Sequence, residues 1–260
     1  MKWIKSEVNV FFTALMFYTR LPCPRWVDHS ADMLNKSTRY FPLIGWIVGG
    51  FTVLVFWASI HLLPLSVSIL LSMITGILVT GAFHEDGWAD VCDGFGGGWT
   101  KERILTIMKD SVIGAYGVVG MVLMLLMKYV LLWETGGVVS VPEMILVMIS
   151  AHSTSRLMPI TIMYLNEYVR ENEDSKAKPV AKQLSIRSFL VAMAFGLTPL
   201  IFFQNLMIAL LLLPMIGMTL YLSYYFKKWI GGYTGDCLGA VQQVTEVVFY
   251  LSFMILWKYI

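Results

Sequence analysis

Charge is scarce in this 260-residue chain, with charged residues at 14% and hydrophobic ones at 57%; a soluble globular domain usually carries about 25% charged residues. That shortage excludes an ordinary soluble domain and points to a polytopic membrane protein. The formal net charge of +2 carries little information beside the distribution of the charges. Cysteine is almost missing as well. Cys23, Cys92 and Cys237 are odd in number and scattered, which gives neither a disulfide framework nor zinc spacing. They read as small helix-packing residues. The N-terminus has no apolar run closing on a small-residue cleavage site, so no signal peptide is expected. No Walker or dinucleotide glycine spacing occurs either.

Long apolar stretches are plentiful. Seven are long enough, or nearly so, to span a bilayer: 42–62, 65–83, 114–133, 141–163, 188–203, 206–226 and 238–257. The fifth is the shortest and contains Pro199, so a tilt, a kink or a hairpin with the sixth is expected there. Residues 8–20 form a shorter apolar segment read as a helix lying in the interface. Sixteen of the nineteen Lys and Arg residues fall on one side of this arrangement, among them Lys2, Lys5, Arg20, Lys101, Arg103, Lys109, Arg170, Lys176, Lys178, Lys182, Arg187, Lys227 and Lys228. The positive-inside rule then sets the N-terminus in the cytoplasm and the C-terminus outside. The expected fold is an all-α transmembrane bundle of about seven spans, one integral membrane domain over 1–260. Within it, 1–40 is a cytoplasmic or interfacial segment and 84–113 a cytoplasmic catalytic connection.

That connection carries the chemistry. Glu85, Asp86, Asp90 and Asp93 lie within nine residues, with no basic residue from 84 to 100. Isolated carboxylates are costly to desolvate and repel one another unless something positive sits among them. If the second span continues as helix, Asp86, Asp90 and Asp93 cover about a 60° arc of one face. Such a stack suits a hard divalent cation, Mg²⁺, which completes its shell with water and phosphate oxygens. Glu85, roughly a quarter-turn away, is a further candidate ligand. His84, at the membrane edge, reads as structural.

Gly94, Gly96, Gly97 and Gly98 follow. Each glycine costs about 1 kcal/mol in a helix relative to alanine, so a turn is expected here. Gly96 and Gly97 would let backbone N–H groups approach a phosphate. Residues 100–108 read as an amphipathic helix capped by Thr100, carrying Arg103 and Lys109 towards the site. Asp110 is a candidate metal ligand or general base, or else a cap for the third span. Inside the spans, Arg156 is expected to face the bundle and pair with a phosphate or an aspartate. Lys128, nearer the outer end, is expected to snorkel. The last span opens on Gly235, Asp236 and Gly239. Asp236 and Gln243 share one helix face, Gln242 and Glu246 another, and polar residues this dense usually line a site.

Together these residues resemble the cobalamin-5′-phosphate synthase, or adenosylcobinamide-GDP ribazoletransferase, family. The likeness rests on His84 to Asp90 with Asp93 and Gly94, on Arg103 and Ile107 to Ser111 with Gly114, and on Gly235 to Ala240 with Gln242, Gln243 and Glu246. Thr19 to Pro22 and Phe41 to Gly45 are similar to the family's opening. Trp88, Cys92 and Cys237 depart from its pattern without touching a carboxylate. The resemblance implies a multi-pass enzyme of a bacterial or archaeal cytoplasmic membrane with its active site facing the cytoplasm. It would join adenosylcobinamide-GDP to α-ribazole or its 5′-phosphate, release GMP and require Mg²⁺. It further implies metal ligation by Glu85, Asp86, Asp90 and Asp93, catalysis by these aspartates with Asp110 or Asp236 as proton acceptor, and phosphate contacts from Arg103, Lys109, Ser111 and Arg156. The expected partners are the two small-molecule substrates and membrane lipid, with no nucleic acid; self-association or a complex with other cobamide-assembly enzymes stays open. Rival readings are another aspartate-rich phosphotransferase or prenyltransferase of membranes, and a transporter. The acidic cluster lies at one face and not at the midplane, which argues against transport.

Overall fold

The computed structural model of the chain describes residues 2–28, 30–169 and 184–259. Among them every regular element is helical, apart from one isolated backbone bridge between Tyr168 and Tyr233. Arg170, Lys176, Lys178 and Lys182, counted above in the fourth connection, lie outside the described residues.

Helices α1 (Lys2–Tyr18) and α2 (Ala31–Ser37) precede a bundle made of α3 (Phe41–Ile60), α4 (Leu65–Thr80), α5 (Phe83–Gly97), α6 (Lys101–Ile107), α7 (Ala115–Gly136), α8 (Val141–Leu165), α9 (Ile186–Ile201), α10 (Leu212–Ile230) and α11 (Gly235–Leu256). Each of the seven apolar stretches becomes a helix, but they are not seven equal spans. Among the described residues, five helices are long and apolar enough to cross a membrane, or six if the bent pair α4–α5 counts as one. Helices α4 and α9 have 16 residues each, about 24 Å of rise against a hydrocarbon core of about 30 Å. The chain is a multi-pass membrane protein.

Helix α8 sits at the centre, with 78% of its most apolar window buried, against 22% for α10 at the rim. Small residues allow the close packing. A Cβ on Gly45 of α3 would run into the His152 carbonyl of α8, and one on Gly49 would lie 3.3 Å from the His152 Cβ, the small-residue contact that membrane helices use in place of a hydrophobic drive. Outward, Val118, Val122, Leu123 and Leu126 of α7 and Leu213 and Leu220 of α10 are exposed, as expected for surface meeting lipid. Helix α1 buries Val10, Ala14 and Tyr18 and exposes Ile4 and Val8, the one-sided pattern of an interfacial helix.

Three expectations need correction. First, the acidic segment does not continue the second span: α4 and α5 meet at 88°. The break is two successive left-handed residues, Gly81 (φ 67°) and Ala82 (φ 57°), a conformation that costs a non-glycine residue and persists only where its surroundings hold it. Second, the glycine run stays helical through Gly97. A Cβ on Gly94 would collide with Met108, and one on Gly96 would lie 2.6 Å from the Tyr116 ring. The bare backbone lets α6 and the start of α7 lie against α5, and that packing offsets the poor propensity. The chain turns only at Gly98. Third, Lys128 does not snorkel; it is buried and points inward. The amphipathic helix is found as read, with Thr100 Oγ1 accepting from the Arg103 N–H at 3.3 Å.

Candidate active site at the α5–α11 crossing

Helix α5 packs along α11 through glycines. A Cβ on Gly87 would lie 3.0 Å from both Cα and the carbonyl oxygen of Asp236, and one on Gly239 would lie 3.3 Å from the His84 carbonyl oxygen. The first turn of α11 therefore rests on α5 between Asp86 and Asp90. Asp86 is exposed, while Asp90 and Asp236 are half-buried. The glycine contact brings the backbone of Asp236 against the helix that carries Asp86 and Asp90. Thr234 caps α11, accepting from the Cys237 N–H at 3.3 Å and donating to Asp236 Oδ2 at 3.4 Å. The turn before it is pinned by Val169 N–H to the Tyr233 carbonyl (3.0 Å) and Tyr233 N–H to the Glu167 carbonyl (3.2 Å). Burial, with Tyr168 alongside, pushes the Tyr233 phenol up to about 12, so it remains a neutral group in this turn.

The other two acidic residues of the motif are engaged elsewhere. Asp93 accepts from the Gly114 N–H at 2.7 Å and the Gly117 N–H at 2.8 Å. Both its oxygens thus cap the start of α7, the end of a helix where anionic groups are stabilised. A Cβ on either Gly114 or Gly117 would strike the Asp93 carboxylate. Asp93 holds down the connection that carries Lys109, Asp110 and Ser111, all exposed; Asp110 Oδ1 accepts from the Val112 N–H at 3.1 Å. Trp88 Nε1 ties α5 to α7 at the Gly120 carbonyl, 2.9 Å away. Arg103 is exposed on α6. Gly96 and Gly97 serve packing against Tyr116 and Ile107.

Glu85 points into the bundle, where it joins a buried polar network. Its Oε1 accepts from Gln243 Nε2 at 3.0 Å. Gln243 Nε2 also donates to Gln242 Oε1 (2.9 Å), and Gln242 Nε2 to Glu246 Oε2 (2.7 Å) and Ser155 Oγ (3.1 Å). Lys128 Nζ donates to Gln243 Oε1 at 2.9 Å and lies 3.3 Å from Glu246 Oε1. Arg156, 2% exposed, donates to the His152 carbonyl at 2.8 Å and sits beside the His152 ring nitrogen at 3.2 Å, with its guanidinium 5.7 Å from the Phe41 ring centre. Glu85 and Arg156 also line a cavity of about 30 Å³, room for roughly two waters. Glu85 Oε2 and Arg156 Nε have no hydrogen-bond partner in the protein.

The expected site residues therefore separate into two layers. Asp236 at the start of α11 lies with its backbone against Gly87, next to Asp86 and one turn before Asp90 in α5. Glu85, Arg156, Gln242, Gln243 and Glu246 form a buried lattice directly behind that contact, and Asp93 is a helix cap. Among the described residues, no three His, Cys, Asp or Glu side chains are gathered closely enough to hold a metal by themselves. Sequence reasoning missed Lys128 and His152 as network members. The available signal was that Lys128 and Glu246 are opposite charges inside separate apolar stretches, and charges in a bilayer pair with one another.

A family model for cobalamin-5-phosphate synthase matches residues 10–254. The adenosylcobinamide-GDP ribazoletransferases of Shewanella oneidensis and Shewanella putrefaciens are each 44% identical over 256 residues, covering 97% of this chain and 96% of the relative. That of Shewanella frigidimarina is 43% identical over 250 residues, covering 96% and 95%. No solved structure matches the chain. With the match running nearly end to end and including α5, α6 and α11, the chain belongs to the cobalamin-5-phosphate synthase family.

Proposed function

We propose that the α5–α11 crossing is a transferase site on the cytoplasmic side of a bacterial or archaeal inner membrane. It would join adenosylcobinamide-GDP to α-ribazole or α-ribazole 5′-phosphate and release GMP. The names of the relatives supply the activated substrate and the acceptor. The observation that carries the site is the contact of Gly87 with Asp236, which sets Asp86 and Asp90 of one helix beside the first turn of another.

The donor set fits Mg²⁺ in a particular way. This ion takes one or two carboxylates and keeps waters or substrate phosphates for the rest of its shell. Asp86 and Asp90, one turn apart on α5, supply that pair without a closed protein cage. Glu85 and Asp93 do not belong to the set, because Gln243 and the α7 backbone engage them. When bound, the ion would neutralise charge on the diphosphate and on the leaving GMP oxygen. The acceptor hydroxyl would attack the phosphorus on the cobinamide side, and GMP would leave. Asp236 is better placed than Asp110 to take the hydroxyl proton, because its backbone touches α5 at Gly87. Arg103 on α6 and Lys109 in the connection after it are exposed cations that could contact the phosphates. Arg156, being buried behind Phe41, stays with the network.

The test is direct. Purified protein in lipid vesicles, given adenosylcobinamide-GDP, α-ribazole and Mg²⁺, should yield the joined corrinoid and an equal amount of GMP by mass spectrometry. Consumption of neither substrate would refute the assignment.

A further inference from the structure

Arg20 stands far from the acidic motif in sequence, yet the fold fixes it at the corner where that motif begins. Its backbone N–H donates to the Val79 carbonyl near the end of α4, at 2.8 Å. Its side chain lies across Gly81, so that a Cβ there would run into Arg20 Nε and come within 2.9 Å of Cγ. The segment before it is packed onto the start of α5: Phe17 and Tyr18 both meet the Phe83 ring edge-on, and Tyr18 stacks on Phe41 at 4.2 Å, which in turn stacks on His84. Thr19 locks the turn, donating to the Leu15 carbonyl and accepting from the Leu21 N–H. A solvent-reaching arginine is thereby held rigidly one helical turn before Asp86. Among the described residues, no carboxylate lies within ion-pair distance of it.

We infer that Arg20 binds a phosphate of the diphosphate substrate, a role that rests on the transferase reading above. A diphosphate brings its own negative charge to an acidic motif and calls for cationic contacts, and Arg156 is withdrawn into the bundle. Guanidinium is the side chain suited to the task, since its planar fork grips two phosphate oxygens at once where lysine offers a point charge. The left-handed Gly81 has a double purpose in this account: it turns the chain by 88° into α5 and leaves room for the arginine stem.

The experiment compares wild type, Arg20→Lys and Arg20→Gln in vesicles of phosphatidylcholine alone and in vesicles containing anionic lipid. In both lipids the KM for adenosylcobinamide-GDP should rise about tenfold in Arg20→Lys and further in Arg20→Gln, with KM for α-ribazole unchanged. In wild-type protein, GDP with Mg²⁺ should protect Arg20 from phenylglyoxal modification, read by peptide mass; this arm needs neither turnover nor a variant that folds. A KM within about twofold of wild type overturns the inference. So does a defect confined to anionic vesicles, which would make a lipid headgroup the phosphate that Arg20 holds, and so does equal modification with and without GDP. Protection of Arg20 without GMP release in wild type would instead sink the transferase reading and leave the phosphate contact standing.

Discussion

Replacing Lys128 by methionine removes one charge from a buried polar network. Lys128 is 7% exposed and Glu246 1% exposed, with 3.3 Å between Nζ and Oε1. At that distance and an effective dielectric of 20, Coulomb attraction is about 5 kcal/mol. The variant forfeits it while keeping the desolvation cost of Glu246, so a loss of about 3–5 kcal/mol is expected, the usual range for breaking one side of a buried pair. Removing both charges, as in Lys128→Met with Glu246→Gln, leaves neither member of the pair as an orphan ion, so the double variant should lose about 2–3 kcal/mol less than the sum of the two singles. The assay is reversible denaturant unfolding of wild type, both single variants and the double variant in one detergent. A Lys128→Met variant within about 1 kcal/mol of wild type would refute the reasoning, as would a double variant whose loss equals the sum of the two singles.

Asp90→Asn, inserted normally in the membrane, should lose at least about a hundredfold in kcat, and wild-type turnover would remove Asp90 from the proposed pair. Chelation with EDTA should abolish GMP release and Mg²⁺ should restore it; activity that survives exhaustive chelation would end the metal proposal. Asp93→Ala leaves two backbone N–H groups of α7 without their carboxylate and should cost about 3–6 kcal/mol of stability, at about 1.5–3 kcal/mol for each charged hydrogen bond. Asp93→Asn keeps one acceptor and should retain more of it, so an alanine variant as stable as wild type would show that the cap is idle.

Local signals were legible where the physics is local. The seven apolar stretches come from hydropathy alone, and each is a helix. Thr100 predicted the start of α6 because an N-cap acts over three residues. The acidic motif stood out as a candidate site because carboxylates without basic neighbours have few structural uses, although Glu85 and Asp93 prove to be engaged by Gln243 and by the α7 backbone. What stayed hidden depends on partners far along the chain. Gln243 and Glu85 are 158 residues apart, and Lys128 and Gln243 are 115 apart. Asp93 looked like a member of a three-carboxylate stack because helical spacing does place it on that arc. Its oxygens go to Gly114 and Gly117 because α7 begins right beside it, which no periodicity in α5 reveals. The bend at Gly81 and Ala82 was equally opaque, since alanine carries no signature of left-handed backbone and Arg20, which fills the corner, comes from the segment just after α1.

The two layers of the site explain each other. In the proposed site Asp86 and Asp90 would have to stand at a fixed spacing from Asp236, yet they lie on a helix that starts at a strained break and ends in glycines, neither of which gives stiffness. The stiffness comes from the apolar side. Glu85, next to Asp86 on the same turn, is gripped by Gln243, and Gln243 is held by Lys128 and Gln242, which is held by Glu246 and Ser155. That chain of bonds runs through α5, α11, α7 and α8, so turning α5 about its axis would break the hydrogen bond that the buried Glu85 carboxylate accepts from Gln243. On the other face Asp93 fastens α5 to α7. A substrate diphosphate would thus meet a carboxylate pair whose spacing is already set, and its binding energy would not be spent on ordering α5. Weakening Gln243 should for that reason lower kcat while leaving the fold of the remaining bundle intact. Gln243→Leu keeps the volume and removes the grip on Glu85. A variant of this kind with unchanged kcat and KM would show that the acidic helix is held by packing alone.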